Sequence, residues 1–225
     1  MSSPIIYIVV PVFNEARVIG PVVQALRRIY EHVVVVDDAS RDGSAIRARE
    51  AGAKVLRHAI NRGQGASLQT GIDYALVHGA GIIVTFDGDG QHCVEDIANL
   101  VKPIIDGEAD VVLGSRFLEP GNEIPIGRRM LLRFALIFTR VMSGMSVTDT
   151  HNGLRAFSAR AARLVRISLD RMAHASELID QIHVLRLKCV ERPVRIIYTA
   201  YSLEKGQKTS GALAIIWDYL MGKLV

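Results

Sequence analysis

GIIVTFDGDGQ, residues 81–91, is an apolar run that ends in two carboxylates separated by a single glycine. The run is short, uninterrupted and rich in β-branched residues, which is typical of a strand buried on both faces. Asp87 and Asp89 follow it directly, and Gln91 adds an amide oxygen. Oxygen ligands of this kind suit Mg²⁺ or Mn²⁺, and Gly88 lets the backbone bend around an ion and its substrate. A polar turn also fits this pattern, but the position directly after a buried strand favours a divalent-metal site.

The sequence on either side of this stretch alternates apolar strands with helices. Strands are predicted at 5–10, 32–36, 54–57, 81–86 and 109–114, with helices at 16–30, 44–51, 66–78 and 94–106. This alternation indicates an α/β fold, with a mostly parallel, Rossmann-like sheet between two layers of helices. In such sheets ligands bind at the carboxyl ends of the strands, so the loops at those ends are the candidate sites.

The second half of the chain is less regular. The pattern predicts a loop at 119–127, a helix at 128–143, a strand at 154–157, helices at 159–165 and 177–187, a strand at 194–201 and a helix at 211–222. In the helix at 128–143, Arg129, Arg133 and Arg140 share one face and apolar residues the other. A core-packed helix with a solvated face and a basic helix at a membrane surface both fit this pattern.

Composition and charge fit one folded domain over residues 1–225. Hydrophobic residues make up 49% of the chain and charged residues 22%, which is typical of a globular protein. Cys93 and Cys189 have neither metal-ligand spacing nor a disulfide pattern, which favours a reducing, cytoplasmic setting. No apolar run approaches the roughly 20 residues that span a bilayer. No basic stretch is interleaved with aromatic residues, so nucleic-acid binding is not expected.

Polar residues also follow the first and second predicted strands. Asn14 and Glu15 fit either the cap of the next helix or a ligand contact. Asp37 and Asp38 are costly to bury unless they are paired or bound. They fit either a turn or carboxylates that accept hydrogen bonds from a ribose or a base.

The third and fifth strand ends add two arginines. Arg62 lies in the glycine-containing loop 61–65, where it could contact phosphate, although the spacing matches neither a phosphate-loop nor a dinucleotide motif. Arg116 would neutralise an anion in the same cleft. His92, just after the metal motif, fits a helix start better than a metal ligand.

Taken together, these loops resemble the family 2 glycosyltransferases, whose catalytic domain has the A-type nucleotide-diphospho-sugar transferase fold. The resemblance rests on the order and spacing of PVFNE (11–15), VDDAS (36–40), NRGQG (61–65), DGDGQ (87–91), GSRF (114–117) and DTHNGLRAF (149–157). Within the family, the chain is similar to the dolichyl-phosphate mannosyltransferase and polyprenyl-phosphate glycosyltransferase branch.

The resemblance implies transfer of a sugar from a nucleotide-diphosphate sugar to a polyprenyl phosphate, with a divalent metal and inversion at the anomeric carbon. It implies a nucleotide-sugar half at 1–115 and an acceptor half at 116–225. Asp87, Asp89 and Gln91 would hold the metal. The expected donor-side residues are Pro11, Phe13, Asn14, Glu15, Asp38, Ser40, Arg62 and Gly88. The expected acceptor-side residues are Arg116 and Arg133, with Lys205 and Lys208 in a loop that lacks the arginine and serine common in the branch.

The acceptor decides whether the reaction needs a base. A lipid phosphate is already anionic, whereas a saccharide hydroxyl, as in surface-polysaccharide synthesis, needs a general base. Glu177 is the candidate base and Asp149 the second, although Glu177 also fits a helix-start carboxylate. A lipid acceptor would bring the chain to the inner face of the membrane as a peripheral protein. A non-catalytic nucleotide-sugar-binding protein and a homo-oligomer both stay open.

Overall fold

The fold is given by a computed structural model, which describes residues 3–118, 147–169 and 174–198. The strands in these ranges are β1 (Ile6–Val12), β2 (His32–Asp37), β3 (Lys54–Arg57), β4 (Ile82–Thr85), β5 (Val111–Ser115), β6 (Arg155–Ser158) and β7 (Cys189–Pro193). The helices are α1 (Ile19–Arg27), α2 (Ser44–Glu50), α3 (Gln64–Val77), α4 (Asp96–Ile105), α5 (Ala159–Leu164) and α6 (His174–Val184).

The strands form one sheet in the order β3-β2-β1-β4-β6-β5-β7. β6 runs antiparallel to both β4 and β5, and the other neighbouring strands are parallel. The start of β6 therefore lies at the same edge as the carboxyl ends of β4 and β5, with Arg155 paired to Thr85. A segment from the second half of the chain thus reaches the edge where the first-half loops converge.

Both faces of the sheet are buried, as the continuous apolar strands predict. Ile8 and Val10 of β1 pack with α1 and α4 on one face. Tyr7 and Val9 pack with α3, α5 and α6 on the other. Each fully buried aliphatic side chain contributes roughly 1.5–3 kcal/mol to folding. The predicted α/β fold with a mostly parallel sheet is confirmed. The two hydrophobic clusters, one on each face of the sheet, hold the strands whose carboxyl ends carry the candidate site.

Among the described residues, one predicted strand is misplaced. The strand expected at 194–201 is not formed over 194–198, the described part of that range, and the sheet instead ends in β7, Cys189–Pro193, which is parallel to β5. Its residues are half-buried and include Glu191 and Arg192, so an edge strand of this kind carries little apolar signal. The elements expected at 119–127, 128–143 and 211–222 lie outside the described residues. Within the described ranges, no helix has the length and apolar character needed to cross a bilayer.

Candidate active site

The loops after β1 and β2 are fastened to each other. The Ser40 hydroxyl accepts the backbone N–H of Asn14 at 2.9 Å, and the Asn14 side-chain oxygen accepts the N–H of Arg41 at 2.9 Å. Asn14 and Ala39 have φ of +55° and +61°, a conformation that costs non-glycine residues energy and is concentrated at functional sites. Asn14 therefore holds the loops after β1 and β2 together and does not cap α1, which begins at Ile19.

A cavity of about 680 Å³ opens beside these two loops. Phe13 and Ser40 line it, and Phe13 is 45% exposed. Pro11 lies buried in β1, and Glu15 is half-buried just beyond Phe13. Of the residues expected around a nucleoside, Phe13 and Ser40 therefore line this cavity, and the Phe13 ring is partly exposed beside it.

Asp38 joins the second loop to the glycine-containing loop before α3. Its carboxylate accepts the backbone N–H of Arg62 at 2.9 Å and that of Gly63 at 2.7 Å. Asp38 is buried, whereas the Arg62 residue is exposed. Gly63 has φ of +96°, which explains why glycine precedes the helix. The contacts of Asp38 thus fix the shape of the loop at 61–63.

Asp87 is held from three sides. Gln64 donates from Nε2 to Oδ1 at 3.0 Å, and His92 Nε2 lies 3.1 Å from Oδ2. A Cβ added to Gly153, just before β6, would lie 2.1 Å from Asp87 Oδ2. Burial works to raise the pKa of Asp87, but the hydrogen bond and charge of His92, with the charge of Arg155, outweigh it and lower the pKa. Asp87 is therefore an oriented, ionised carboxylate.

The pKa of Asp89 shifts in the opposite direction. Burial, and then the charge of Asp87, raise the pKa of Asp89 to about 6. The backbone N–H of Gln91 donates to Asp89 Oδ1 at 3.0 Å, and the Gln91 side chain is buried beside it. Gly88, between the two carboxylates, is buried against Val12. Two carboxylates that repel each other in this way favour a cation between them.

The described residues contain no group of three or more His, Cys, Asp or Glu side chains that could hold a metal by themselves. A site of two carboxylates and one amide would leave positions for other oxygen ligands. This is the arrangement that Mg²⁺ favours when substrate phosphates complete its shell.

Arg116 and Asp149 form a buried ion pair. Arg116 Nε donates to Asp149 Oδ2 at 2.6 Å, and its Nη2 donates to the His151 carbonyl at 3.2 Å. The two side chains are 6% and 1% exposed, so the ion pair is buried. Burial lowers the pKa of His151 to about 4, so its ring is neutral at pH 7. The acceptor-side residues Arg133, Lys205 and Lys208 lie outside the described residues.

Glu177 lies in the first turn of α6, where its carboxylate caps a neighbouring segment. It accepts the backbone N–H of Ser168 at 3.0 Å and that of Leu169 at 3.0 Å, as well as the Ser168 hydroxyl. Both oxygens are therefore used in structural contacts.

The sequence interpretation missed Gln64 and His92 as partners of Asp87, and gave Arg155 no role. Arg155 is buried and donates to the Thr150 carbonyl at 2.8 Å. The glutamine was visible only as one letter in the loop 61–65. Its distance to Asp87 depends on how α3 packs, which no local pattern encodes.

An α/β sheet with a carboxylate pair and a cavity at its carboxyl edge is the arrangement expected of an A-type glycosyltransferase. The chain belongs to glycosyl transferase family 2, whose family model matches residues 7–165. The expected resemblance is thereby confirmed.

Two curated relatives carry lipid-phosphate names. The UDP-N-acetylglucosamine–dolichyl-phosphate N-acetylglucosaminyltransferase of Methanococcus voltae is 31% identical over 100% of this chain and 98% of its own length. The undecaprenyl-phosphate mannosyltransferase of Micrococcus luteus is 27% identical over 84% of this chain and 82% of its own length.

A solved structure has the same fold. Glucosyl-3-phosphoglycerate synthase from Mycobacterium tuberculosis, in complex with Mn²⁺ and UDP-glucose, matches with a TM-score of 0.73 at 19% identity. The match covers 98% of this chain and 79% of that chain. This likeness establishes the A-type architecture.

Proposed function

We propose that this glycosyltransferase moves a sugar from a nucleotide-diphosphate sugar to a polyprenyl phosphate, with Mg²⁺ or Mn²⁺ at Asp87 and Asp89. The observation that carries the proposal is the pair of carboxylates, Asp87 and Asp89, that directly follows β4, with Asp87 oriented by Gln64 and His92. That pair lies at the edge where ligands bind in open α/β sheets.

The residues present fit a hard divalent cation. Asp87 is already oriented by Gln64 and His92, as carboxylate ligands in metal sites usually are by outer hydrogen bonds. The Gln91 amide would add a third oxygen. The ion, when bound, would neutralise the charge that grows on the departing diphosphate.

The donor would lie across the edge from the cavity to the carboxylates. The exposed ring of Phe13 offers a flat apolar surface for a base, beside the polar loop at Ser40. The Methanococcus relative is named for a UDP-sugar, and the mycobacterial structure contains UDP-glucose. Both support a nucleotide-diphosphate sugar as the donor.

The state of the two candidate bases favours an anionic acceptor. Asp149 is paired with Arg116, and Glu177 caps the segment at Ser168. A phosphate oxygen needs no base: it forms a bond to the anomeric carbon while the bond from that carbon to the diphosphate oxygen breaks. Attack from the face opposite the leaving group inverts the anomeric centre. The names of both curated relatives support this acceptor class.

A polyprenyl acceptor would bring the enzyme to a membrane surface as a peripheral protein on the cytoplasmic side. Co-sedimentation with vesicles that contain polyprenyl phosphate tests this part of the proposal. The expected result is binding to those vesicles and not to plain phosphatidylcholine vesicles. If the protein binds neither kind of vesicle, the proposal of a peripheral membrane protein is wrong.

The main test begins with donor binding. Melting temperatures are measured with UDP-, GDP- and dTDP-sugars, each with Mn²⁺ or EDTA. A donor at a hundred times its Kd stabilises the fold by about 2.7 kcal/mol, which raises Tm by roughly 5–10 °C. The donor that binds is then assayed with polyprenyl phosphate and with saccharide acceptors.

Asp89→Asn and Asp106→Asn make a matched pair for this test. Asp106 is exposed, directly follows α4 and forms a surface ion pair with Lys102, so its variant should behave as wild type. Asp89→Asn should lose the Mn²⁺-dependent shift and the transfer. If wild-type transfer survives EDTA, the reaction does not depend on a metal. If the enzyme transfers the sugar only to saccharides, the acceptor is a saccharide and not a lipid phosphate. Donor binding without transfer to any acceptor would favour a binding protein.

A further inference from the structure

His58 connects three elements around the donor side of the site. Its Nδ1 lies 2.8 Å from Asp38 Oδ1, and its Nε2 lies 3.0 Å from the Thr70 hydroxyl on α3. Its own backbone N–H donates to the Asp37 carbonyl at 2.9 Å. The His58 side chain is only 10% exposed, so these bonds form in a site with little competing water.

The protonation pattern follows from the partners. An ionised carboxylate can only accept, so Nδ1 carries a hydrogen and donates to Asp38. The Thr70 hydroxyl is able to donate to Nε2, which completes both ring nitrogens. Asp38 Oδ1 then accepts from His58 and from the backbone of Arg62, while Oδ2 accepts from Gly63.

Asp38 thus lies between His58 and the loop at 61–63. Without His58, the carboxylate would lose the side-chain donor that fixes its rotation, and the two backbone bonds to the loop would loosen with it. Asn61, in the same loop, lines the 680 Å³ cavity together with His58 and Phe13. Any movement of the loop therefore changes the cavity wall.

We propose that His58 is a positioning residue for the nucleotide donor: through Asp38 it holds the loop 61–63 in the conformation that binds the donor. This inference rests on the proposed function, because it assumes that the cavity receives a nucleotide. Asp38 acts on the donor through this loop in addition to any direct contact. Neither a metal-binding motif nor a charged sequence pattern marks His58 for this role.

Two near-isosteric variants separate the roles of the two ring nitrogens. The amide nitrogen of asparagine occupies about the position of Nδ1, so His58→Asn keeps the donor to Asp38. The longer glutamine side chain in His58→Gln places its amide near Thr70 and loses the hydrogen bond to Asp38. His58→Ala removes both contacts. His78→Ala is the control, since the His78 ring is also hydrogen-bonded, to the Tyr74 carbonyl, and stacks on Tyr74, but it lies in the exposed turn directly after α3.

The experiment measures the Kd of the donor by calorimetry, kcat at saturating donor, and hydrogen exchange at the Arg62 and Gly63 amides. The probe is UDP-N-acetylglucosamine with Mn²⁺, or GDP-mannose where the wild type binds that nucleotide. His58→Ala and His58→Gln should raise Kd by about tenfold to a hundredfold, as expected for a hydrogen bond to a charged group. Their kcat should change little, exchange at both amides should accelerate, and His58→Asn should restore most of the affinity and protection.

Several results would overturn the inference. A Kd in His58→Ala and His58→Gln equal to that of His78→Ala would do so, as would equal losses in His58→Asn and His58→Gln. If the alanine variant fails to fold, the asparagine and glutamine pair still decides. A wild-type protein that binds neither nucleotide sugar overturns the proposed function and this inference together, whereas binding without a His58 effect overturns only the inference.

Discussion

Replacing Gly153 with alanine is the sharpest perturbation that the structure offers. The added Cβ would lie 2.1 Å from Asp87 Oδ2 and 2.3 Å from Oδ1, well inside van der Waals contact. Gly153 does not have a positive φ, so the alanine backbone itself is unstrained. Its carbonyl is fixed by the Thr85 hydroxyl at 2.7 Å. Asp87 is therefore the group that has to move.

The expected magnitude follows from the distance. Relief of the clash requires the carboxylate to retreat by about 1 Å, and a misplacement of that size costs on the order of 100-fold in rate. The retreat would also stretch the hydrogen bonds from Gln64 and His92. Overpacking at this close contact costs about 1–3 kcal/mol, which lowers Tm by roughly 2–12 °C for a chain of this length.

The assay compares Gly153→Ala with Gly20→Ala. Gly20 lies in α1, and a Cβ there would meet nothing within 4 Å, so alanine should keep full activity and add about 0.5–1 kcal/mol of stability. Transfer rate, Mn²⁺ affinity from the melting shift, and Tm are measured for both variants. Gly153→Ala should lose about 100-fold in rate and most of its Mn²⁺ affinity while it stays folded.

Two outcomes would refute this reasoning. A Gly153→Ala enzyme with wild-type rate and wild-type Mn²⁺ affinity would mean that Asp87 is not a placed ligand. A variant that binds Mn²⁺ normally but melts far lower would reduce Gly153 to a packing residue.

Three further predictions concern charged side chains. Without metal, Asp89→Asn should be more stable than wild type by about 1–3 kcal/mol at pH 7.5 but not at pH 4, as measured by urea unfolding. The reason is that the pKa of Asp89 is raised to about 6 in the folded protein, so the stability of the wild type falls as the pH rises from about 4 to 6. Arg116→Ala should lower the free energy of unfolding by about 3–5 kcal/mol, because it leaves Asp149 buried without its partner. Arg160→Ala, which breaks an ion pair at the surface, should lower it by under about 1 kcal/mol. Equal losses of stability in the two variants would contradict a stabilising buried pair. Glu177→Gln should keep most of the transfer to polyprenyl phosphate. If wild type transfers the sugar to a saccharide and the Glu177→Gln variant is inactive, Glu177 is a general base instead.

Most of the fold could be predicted because its signals are local. Buried strands such as β1 and β2 carry continuous apolar runs, and the helices between them carry a helical period. Short carboxyl-end loops follow directly, so Asp87, Asp89 and Gln91 were identified together as neighbours in sequence. β7 was misplaced because a half-buried edge strand with Glu191 and Arg192 lacks that apolar signal.

The sequence by itself determined the strand that ends in Asp87-Gly88-Asp89, the loops at the other strand ends and the family to which their order belongs, because each is a pattern of adjacent residues. Only the tertiary structure decided what surrounds them. The antiparallel insertion of β6 brings Gly153 against Asp87, and the packing of α3 brings Gln64 to the same carboxylate. His58 meets Asp38 across 20 residues, and Arg116 meets Asp149 across 33. Such contacts depend on strand order and helix packing, which are set by the burial of the whole sheet and not by any local period.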